Sequence, residues 1–417
     1  MEAAGAIRKA MKILLVNKFH YLRGGSEKYY FELAKLLKEH GHTVAYFSMK
    51  NENNITTGDK EYFVDEIDMN TGSKFEALNV IYSKKNKALM TMALEDFQPD
   101  IVHINNFQRQ LSASIIDAVK EKNIPLIMTA HDLNPVCPSS IMLYNGEVCE
   151  DCITKGYAQC IKKKCIKNST LKSLLGYIEK RYYDSHKIFE KIDCIISPSA
   201  FNKSELLKGG LKCNKIQVIH NFVNETEKKD CPIGDYAFYF GRLSREKGIL
   251  NLIEAIKNVN GSKLLIAGNG PEQDNIEQYI KENALGDRIK LLGYLGQDEI
   301  RDYIRASKFI VVPSIWFENC PYSILETMEI GKPIIGSNIG GIPELIKDGY
   351  NGYIFEHNDV AQLEKIITEL FNDDAKAKQL GYNSRILFED NYSAESYYNE
   401  IMQIYNKYLN TIPIKSD

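Results

Sequence analysis

The stretch Phe309-Ile310-Val311-Val312-Pro313, with Glu318-Asn319-Cys320-Pro321-Tyr322-Ser323-Ile324-Leu325-Glu326 close behind it, holds one complete structural unit. A short continuous apolar run fits a strand buried on both faces. Pro321 suits the first position of a helix, with Asn319 or Cys320 as its cap, and the helical pattern runs from Tyr322 to Ile330. Strand, loop and helix form the repeating unit of a parallel sheet, whose ligands sit beyond the carboxyl ends of the strands. Glu318 then lies in the loop and Glu326 in the second turn of the helix. Each carboxylate can accept from a pair of hydroxyls, as sugar and ribose diols offer. The plainer alternative makes Glu318 a partner of the helix dipole and Glu326 a solvated residue.

The unit recurs outward in both directions. Toward the C-terminus come strands at Pro333–Gly336 and Tyr353–Phe355. Toward the N-terminus come Arg288–Leu292, Lys263–Ala267 and Tyr236–Phe240, with helices at Lys247–Val259, Glu272–Glu282, Tyr322–Ile330 and Ala361–Phe371 among them. A second series precedes it: strands Lys12–Asn17, Thr43–Phe47, Ile101–Ile104, Pro125–Ala130, Cys194–Ser197 and Ile216–His220, with a helix at Glu27–His40 stopped by Gly41. The pattern predicts an α/β protein of two doubly wound parallel sheets, joined through the polar stretch Asn221–Gly234, with a cleft between them. The expected division is a leader or tag at 1–10, a first Rossmann-like domain at 11–221 with a cysteine-bearing insertion at 137–168, a second at 222–392, and a terminal helical segment at 393–417 that holds the Tyr-rich helix Ala394–Leu409.

The chain has 417 residues and a net charge of −3, so no overall basic field points to nucleic acid. Lys155 to Lys191 is different: ten Lys/Arg face three Asp/Glu. Such a run is either a solvated face or a patch for anionic lipid, a peripheral contact at the inner face of a membrane. No apolar stretch reaches the ~18–20 residues of a membrane span, and Met1–Ala10 lacks the apolar core of an export signal. The expected compartment is the cytoplasm, where the nine cysteines are reduced or metal-bound.

Several motifs fall at strand ends. Gly24-Gly25-Ser26-Glu27 opens a helix, where backbone N–H groups can approach an anion; a plain glycine turn is the alternative. Arg242 and Lys247 follow the first strand of the second series, and a guanidinium fork with an ammonium suits a diphosphate; alone they would read as surface charge. Gly340-Gly341 follows another strand and suits either phosphate or sugar contact or a simple turn. His131 follows a first-half strand and would face the expected cleft, within reach of a sugar hydroxyl; a satisfied structural histidine is the alternative. Cys149-x2-Cys152 and Cys160-x4-Cys165 pair four thiols at a spacing that fits either a structural zinc ion or reduced thiols in a loop. Leu171, Leu174, Leu175, Ile178, Tyr182 and Phe189 lie near helical spacing, and the stripe predicts a helix packed on the core, with a membrane-surface helix as the alternative.

Together, the Gly24–Glu27 loop, His131-Asp132, Gly241 to Gly248, Glu318 to Glu326 and Gly340–Glu344 resemble glycosyltransferase family 4, retaining enzymes of the GT-B fold. The Cys149-Glu150-Asp151-Cys152 and Asn221-Phe222-Val223 segments resemble a bacterial subgroup with a cysteine-bearing insertion. The resemblance implies a nucleotide-sugar donor held by the second half and an acceptor held by the first, in cell-surface polysaccharide synthesis. It implies that Arg242 and Lys247 hold the donor diphosphate, Glu326 the ribose, Glu318 the transferred sugar, with His131 near the reacting carbon and Gly24, Gly25, Gly340 and Gly341 around the donor. It implies UDP- or GDP-linked donors, no metal cofactor for catalysis and a C-terminal helix returning to the first domain. No Asp-x-Asp metal motif is evident. Asn319-Cys320-Pro321 stands where the family often has Pro-Phe-Gly, so the donor sugar is left open. A GT-B epimerase or a non-catalytic sugar-nucleotide-binding scaffold are the competing readings.

Overall fold

The computed structural model describes residues 10–67, 79–226 and 231–410; the leader, part of the polar linker and the last seven residues lie outside them. In chain order the first half contributes β1 (Lys12–Val16), β2 (Thr43–Met49), β3 (Lys60–Val64), β4 (Ile101–Ile104), β5 (Leu126–Thr129), a short hairpin of β6 (Leu143–Tyr144) and β7 (Glu147–Val148), β8 (Cys194–Ser197) and β9 (Ile216–Val218). All but the hairpin form one sheet in the order β3-β2-β1-β4-β5-β8-β9, and every pairing in it is parallel. The second half contributes β10 (Ala237–Phe240), β11 (Leu264–Ala267), β12 (Ile289–Gly293), β13 (Phe309–Val312), β14 (Ile334–Ser337) and β15 (Gly352–Phe355), in the parallel order β12-β11-β10-β13-β14-β15. The expected two-sheet α/β architecture, a GT-B fold with a cleft between its sheets, is what the chain forms.

The strands are buried on both faces, as continuous apolar runs require. Along β1, Leu14 and Val16 enter one core while Ile13 and Leu15 enter the core on the other side of the sheet. In each sheet the strand order reverses direction beside the first strand, between β1 and β4 and between β10 and β13. These two switch points open crevices at the carboxyl edge, and the two crevices face each other.

The helix Ala394–Leu409 packs on the first sheet's face. Its tyrosines do this by pairing with buried polar groups: Tyr405 Oη meets His103 Nδ1 at 2.6 Å, Tyr397 Oη pairs with Tyr29 Oη, and Tyr398 Oη meets His42 Nε2 at 2.8 Å. Each hydroxyl would otherwise be desolvated without a partner.

Four expectations need correcting. β3 and the β6–β7 hairpin were not anticipated. β3 is a half-buried edge strand with charged residues at its start, and each hairpin strand has two residues, too short to show a period. Pro321 is itself the cap, and the helix begins at Tyr322. Most instructive is the helix Thr170–Ser185, where three residues of the expected core-facing stripe point outward, Leu171 75% exposed, Ile178 42% and Leu174 39%, while Tyr182 packs on the first core. The buried face carries Ser173, Gly176, Glu179, Lys180 and Tyr183 instead. There Lys180 donates to the Pro135 carbonyl and Tyr183 to Glu179 at 2.9 Å, so an ionic and hydrogen-bonded network replaces an apolar one.

The helix expected from Lys247 is broken at its start. A 3-10 turn Arg245–Lys247 ends at Gly248, and the α-helix runs over Ile249–Asn258. Gly248 has φ +67°, and a Cβ there would stand 2.0 Å from the Pro313 carbonyl oxygen. This close approach seats the Arg242–Lys247 loop against the end of β13. Gly248→Ala is expected to lower the thermal unfolding midpoint by several degrees, while Gly286→Ala, with open space around it, leaves it within about a degree. Equal midpoints would contradict the close-packed loop.

Candidate functional site

Between the two carboxyl edges lies a cleft of about 490 Å³. From the first half it is lined by Arg23, Gly24, Gly25, Asn106, His131 and Asp132, and from the second by Arg242, Lys247, Trp316, Glu318, Asn319 and Glu326, among others. Of the residues singled out in the sequence, Gly24, Gly25, His131, Arg242, Lys247, Glu318 and Glu326 thus converge. Gly340 and Gly341 do not line it. They back the loop that does: the Gly341 N–H donates to the Glu318 carbonyl at 2.6 Å, and Cβ atoms at the two glycines would strike the backbone of Glu318 and Asn319. Their role is to let that loop sit close to the sheet.

Glu318 is buried, and one carboxylate oxygen, Oε1, gathers three donors. Ser314 Oγ and Trp316 Nε1 each donate at 2.9 Å, and Lys247 Nζ completes the set. Burial alone would raise the pKa of this carboxyl, but the Lys247 ammonium and the donated hydrogen bonds outweigh it and hold the group below its ordinary value. Glu318 is therefore an anion fixed in place. Ser314 and Trp316 were missed in the sequence; Trp316, the only tryptophan of the chain and two residues before Glu318, was the available signal.

Glu326 is held across the cleft by Lys28, in the first turn of the helix Gly25–Glu39. Lys247 also lies 5.4 Å from the Trp316 ring centroid. Arg242 differs from both lysines. It is exposed, and its guanidinium has no hydrogen-bond or ion-pair partner among the described residues. At the β10/β13 switch point this leaves one planar, permanently charged fork available to an incoming oxyanion.

His131 is set from three sides. Its Nε2 meets Asn105 Oδ1 at 2.8 Å, its ring lies edge-on to Tyr29 at 4.7 Å between centroids, and its carbonyl accepts from Asn319 Nδ2 at 2.7 Å. The Asn105 amide nitrogen is directed at the Val16 carbonyl, so Oδ1 faces the ring and Nε2 carries the proton. Nδ1 is left as an acceptor. Burial pushes the imidazole pKa down to about 3. Next to it, burial pushes the Asp132 carboxyl up to about 6.

The cysteine-bearing insertion does not form the expected four-thiol set. Cys149 Sγ accepts from Lys163 Nζ at 3.2 Å. Cys152 pairs with Cys137, and Cys160 with Cys165. Among the described residues no group of three or more His, Cys, Asp or Glu side chains is arranged to hold a metal ion. The paired spacing in sequence is real, but Cys149 lies beside Lys163 and Cys152 has Cys137 as its partner instead. The insertion also reaches the second half: Gly146, at the tip of the β6–β7 hairpin, sits against the Arg245 guanidinium.

A neutral His131 has a direct signature. The ring proton shifts of His131 and His103, the latter also lowered to about 3 by burial, are expected to stay flat in an NMR titration from pH 8 to 5. An inflection between pH 6 and 7 assigned to His131 by its disappearance in His131→Gln would contradict the neutral imidazole.

The profile of Glycosyltransferase Family 4 matches residues 23–227, and that of Glycosyl transferases group 1 matches residues 225–387. An uncharacterized glycosyltransferase of Methanocaldococcus jannaschii is 35% identical over 214 residues, 51% of this chain and 59% of that protein. The chain thus spans a little over half the length of the first curated relatives it matches. An uncharacterized 42.6 kDa protein from the cps region of Klebsiella pneumoniae is 26% identical over 410 residues, 93% of this chain and 98% of its own. Among solved structures, Anabaena HepE in complex with UDP superposes with a TM-score of 0.70 at 16% identity, covering 95% of this chain and 100% of that one, a likeness of fold.

Proposed function

We propose that this chain, a GT-B-fold glycosyltransferase related to both of these families, moves a sugar from a UDP- or GDP-linked donor to a glycan or lipid-linked acceptor. The transfer retains the anomeric configuration and serves the assembly of a cell-surface polysaccharide. The observation that carries the reading is the Arg242 guanidinium, unpaired at the β10/β13 switch point, in one cleft with Glu326, Glu318 and His131. The relation to the two families and the likeness to a fold that binds UDP in Anabaena HepE support it, as does the cps-region relative.

In this reading the donor diphosphate lies on Arg242 and Lys247, with the backbone N–H groups of Gly24 and Gly25 across from it. Glu326 accepts from the ribose hydroxyls, and Glu318 from the transferred sugar. As the bond to the leaving phosphate stretches, negative charge grows on that oxygen, and the two cations stabilise it where it forms. The sugar becomes oxocarbenium-like, with the His131 ring on its first-half side; a neutral Nδ1 accepts a sugar hydroxyl proton's hydrogen bond without adding charge. The acceptor hydroxyl attacks from the face the phosphate leaves, and its proton passes to a phosphate oxygen. No step is assigned to a metal ion. Approach of the two edges excludes water that would hydrolyse the donor.

Calorimetry with UDP and GDP tests the donor site. One nucleotide is expected to bind, and Arg242→Ala to weaken it about 10- to 100-fold, the worth of a charge-assisted hydrogen-bonded contact. Turnover should fall about 100-fold or more, and the NMR coupling of the product's anomeric proton should match the donor's configuration. Full turnover in Arg242→Ala would overturn the assignment; an inverted product would overturn retention alone.

We also propose that the enzyme works on the cytoplasmic face of a membrane, touching it through 155–191. No helix among the described residues is long and apolar enough to cross a bilayer. The outward Leu171, Leu174 and Ile178, beside exposed Lys155, Lys162, Lys164 and Lys167, suit insertion of an apolar edge among anionic headgroups. Vesicles with anionic lipid should sediment the protein and neutral vesicles should not. Replacing the three apolar residues with Ser should abolish sedimentation without moving the unfolding midpoint. Unchanged sedimentation of that variant would refute the contact.

A further inference from the structure

A second set of cations gathers on the first-half side of the cleft, and the donor reading gives none of them a role. The loops leaving β1, β4 and β5, three neighbours in the sheet, bring together Lys18 and Arg23, Arg109, and Asp132. Lys18 Nζ stands 4.8 Å from the Phe19 ring centroid and Arg23 Cζ stands 4.5 Å from the same ring. One aromatic face thus serves two cations.

The charge balance of this group is uneven. Among the described residues Lys18 Nζ makes no hydrogen bond or ion pair, although the residue is only partly exposed. Burial, together with Arg109 and Arg23, lowers its pKa to about 8, against the weaker pull of Glu179 and Asp132. It is still protonated at neutral pH. Arg109 is clamped from behind: Nη2 donates to the Pro138 carbonyl at 2.9 Å, and Nε lies 3.8 Å from the buried Glu179 on the helix Thr170–Ser185. Its backbone is in the left-handed region at φ +71°, a conformation that costs a long side chain about 1 kcal/mol or more and persists where the surroundings impose it. Burial raises the Asp132 carboxyl to about 6, which leaves it mostly ionised at neutral pH, but its Oδ1 accepts the Asn134 N–H at 2.8 Å and among the described residues it lies within ion-pair distance of none of the three cations. Of the three cations only Arg109 has a carboxylate within ion-pair distance among the described residues, Glu179, so Lys18 and Arg23 keep positive charge available to an incoming anion.

We propose that Lys18, Arg23 and Arg109 form a subsite for an oxyanion on the acceptor, so that the acceptor carries a phosphate ester or carboxylate close to the hydroxyl that receives the sugar. Arg23 and Asp132 line the cleft itself, which places this group at the acceptor's entry and apart from Arg242 and Lys247. The inference rests on the reading that the first half holds the acceptor. It also gives a purpose to the inverted helix, whose buried Glu179 fixes Arg109 from the inner side.

The test titrates inorganic phosphate, and malonate in a parallel arm, into the full-length protein already saturated with UDP, so that the donor diphosphate site is filled. Saturable binding in the millimolar range is expected, weakened about tenfold or more in Lys18→Gln and in the exposed Arg23→Gln, with UDP affinity changed less than about twofold. Tighter phosphate identifies a phosphorylated acceptor, and tighter malonate a carboxylated one. Absence of saturable binding for both anions, or binding unchanged in both variants, overturns the proposal. If UDP itself does not bind, the donor reading fails separately, and the same comparison of wild type with the two variants in the nucleotide-free protein still decides the subsite.

Discussion

The whole arrangement depends on one constraint: two parallel sheets must meet at their carboxyl edges without leaving backbone groups unpaired. The Glu318–Tyr322 loop meets this constraint from both sides. Asn319 donates to the His131 carbonyl and Asn221 to the Cys320 carbonyl at 3.0 Å. Close by, Glu344 accepts from the N–H groups of Ala200 and Phe201, at 2.8 and 2.7 Å, and so caps a first-half helix from the second half. Each such bond contributes only about 1 kcal/mol, but the first two act directly on the segment that carries the candidate sugar-binding carboxylate. Gly340 and Gly341 belong to the same construction, since any side chain there would push the loop into the cleft.

Charge in the cleft follows a second rule. Both carboxylates proposed to meet the donor are already compensated by lysines, Glu318 by Lys247 and Glu326 by Lys28, the latter across the cleft. A buried carboxylate without a partner would be costly. Of the proposed donor cations only Arg242 has no hydrogen-bond or ion-pair partner for its side chain among the described residues. A diphosphate arriving there adds attraction without breaking a pair, whereas ribose hydroxyls at Glu326 share a carboxylate with Lys28. In the proposed reading nucleotide binding would thereby be linked to the contact between the two halves, because one partner of the Lys28–Glu326 pair stands on each.

Much of this was legible in the sequence, for definite reasons. Strands buried on both faces announce themselves as continuous apolar runs, so Ile101–Ile104 and Cys194–Ser197 were read to the residue. Strand ends then located His131, Arg242 and Glu318 without any knowledge of tertiary packing. What was not legible depended on partners distant in sequence. Lys60–Val64 is an edge strand without an apolar signature. The apolar stripe of Thr170–Ser185 looked like a core face, and only the tertiary network of Glu179, Lys180 and Tyr183 shows that the polar side is buried. Thiol spacing suggested a four-cysteine set, but spacing does not reveal Lys163 beside Cys149. Arg23 and Lys18 carried no motif, and their significance comes from the shared Phe19 ring and the neighbouring Arg109.

The most direct measurement is a crystal structure of the protein with the nucleoside diphosphate it binds. The account predicts the diphosphate on Arg242 and Lys247, the ribose hydroxyls on Glu326, and the terminal phosphate pointing toward His131 across the cleft. A nucleotide bound on the first half, or one that leaves Arg242 and Glu326 untouched, would contradict it.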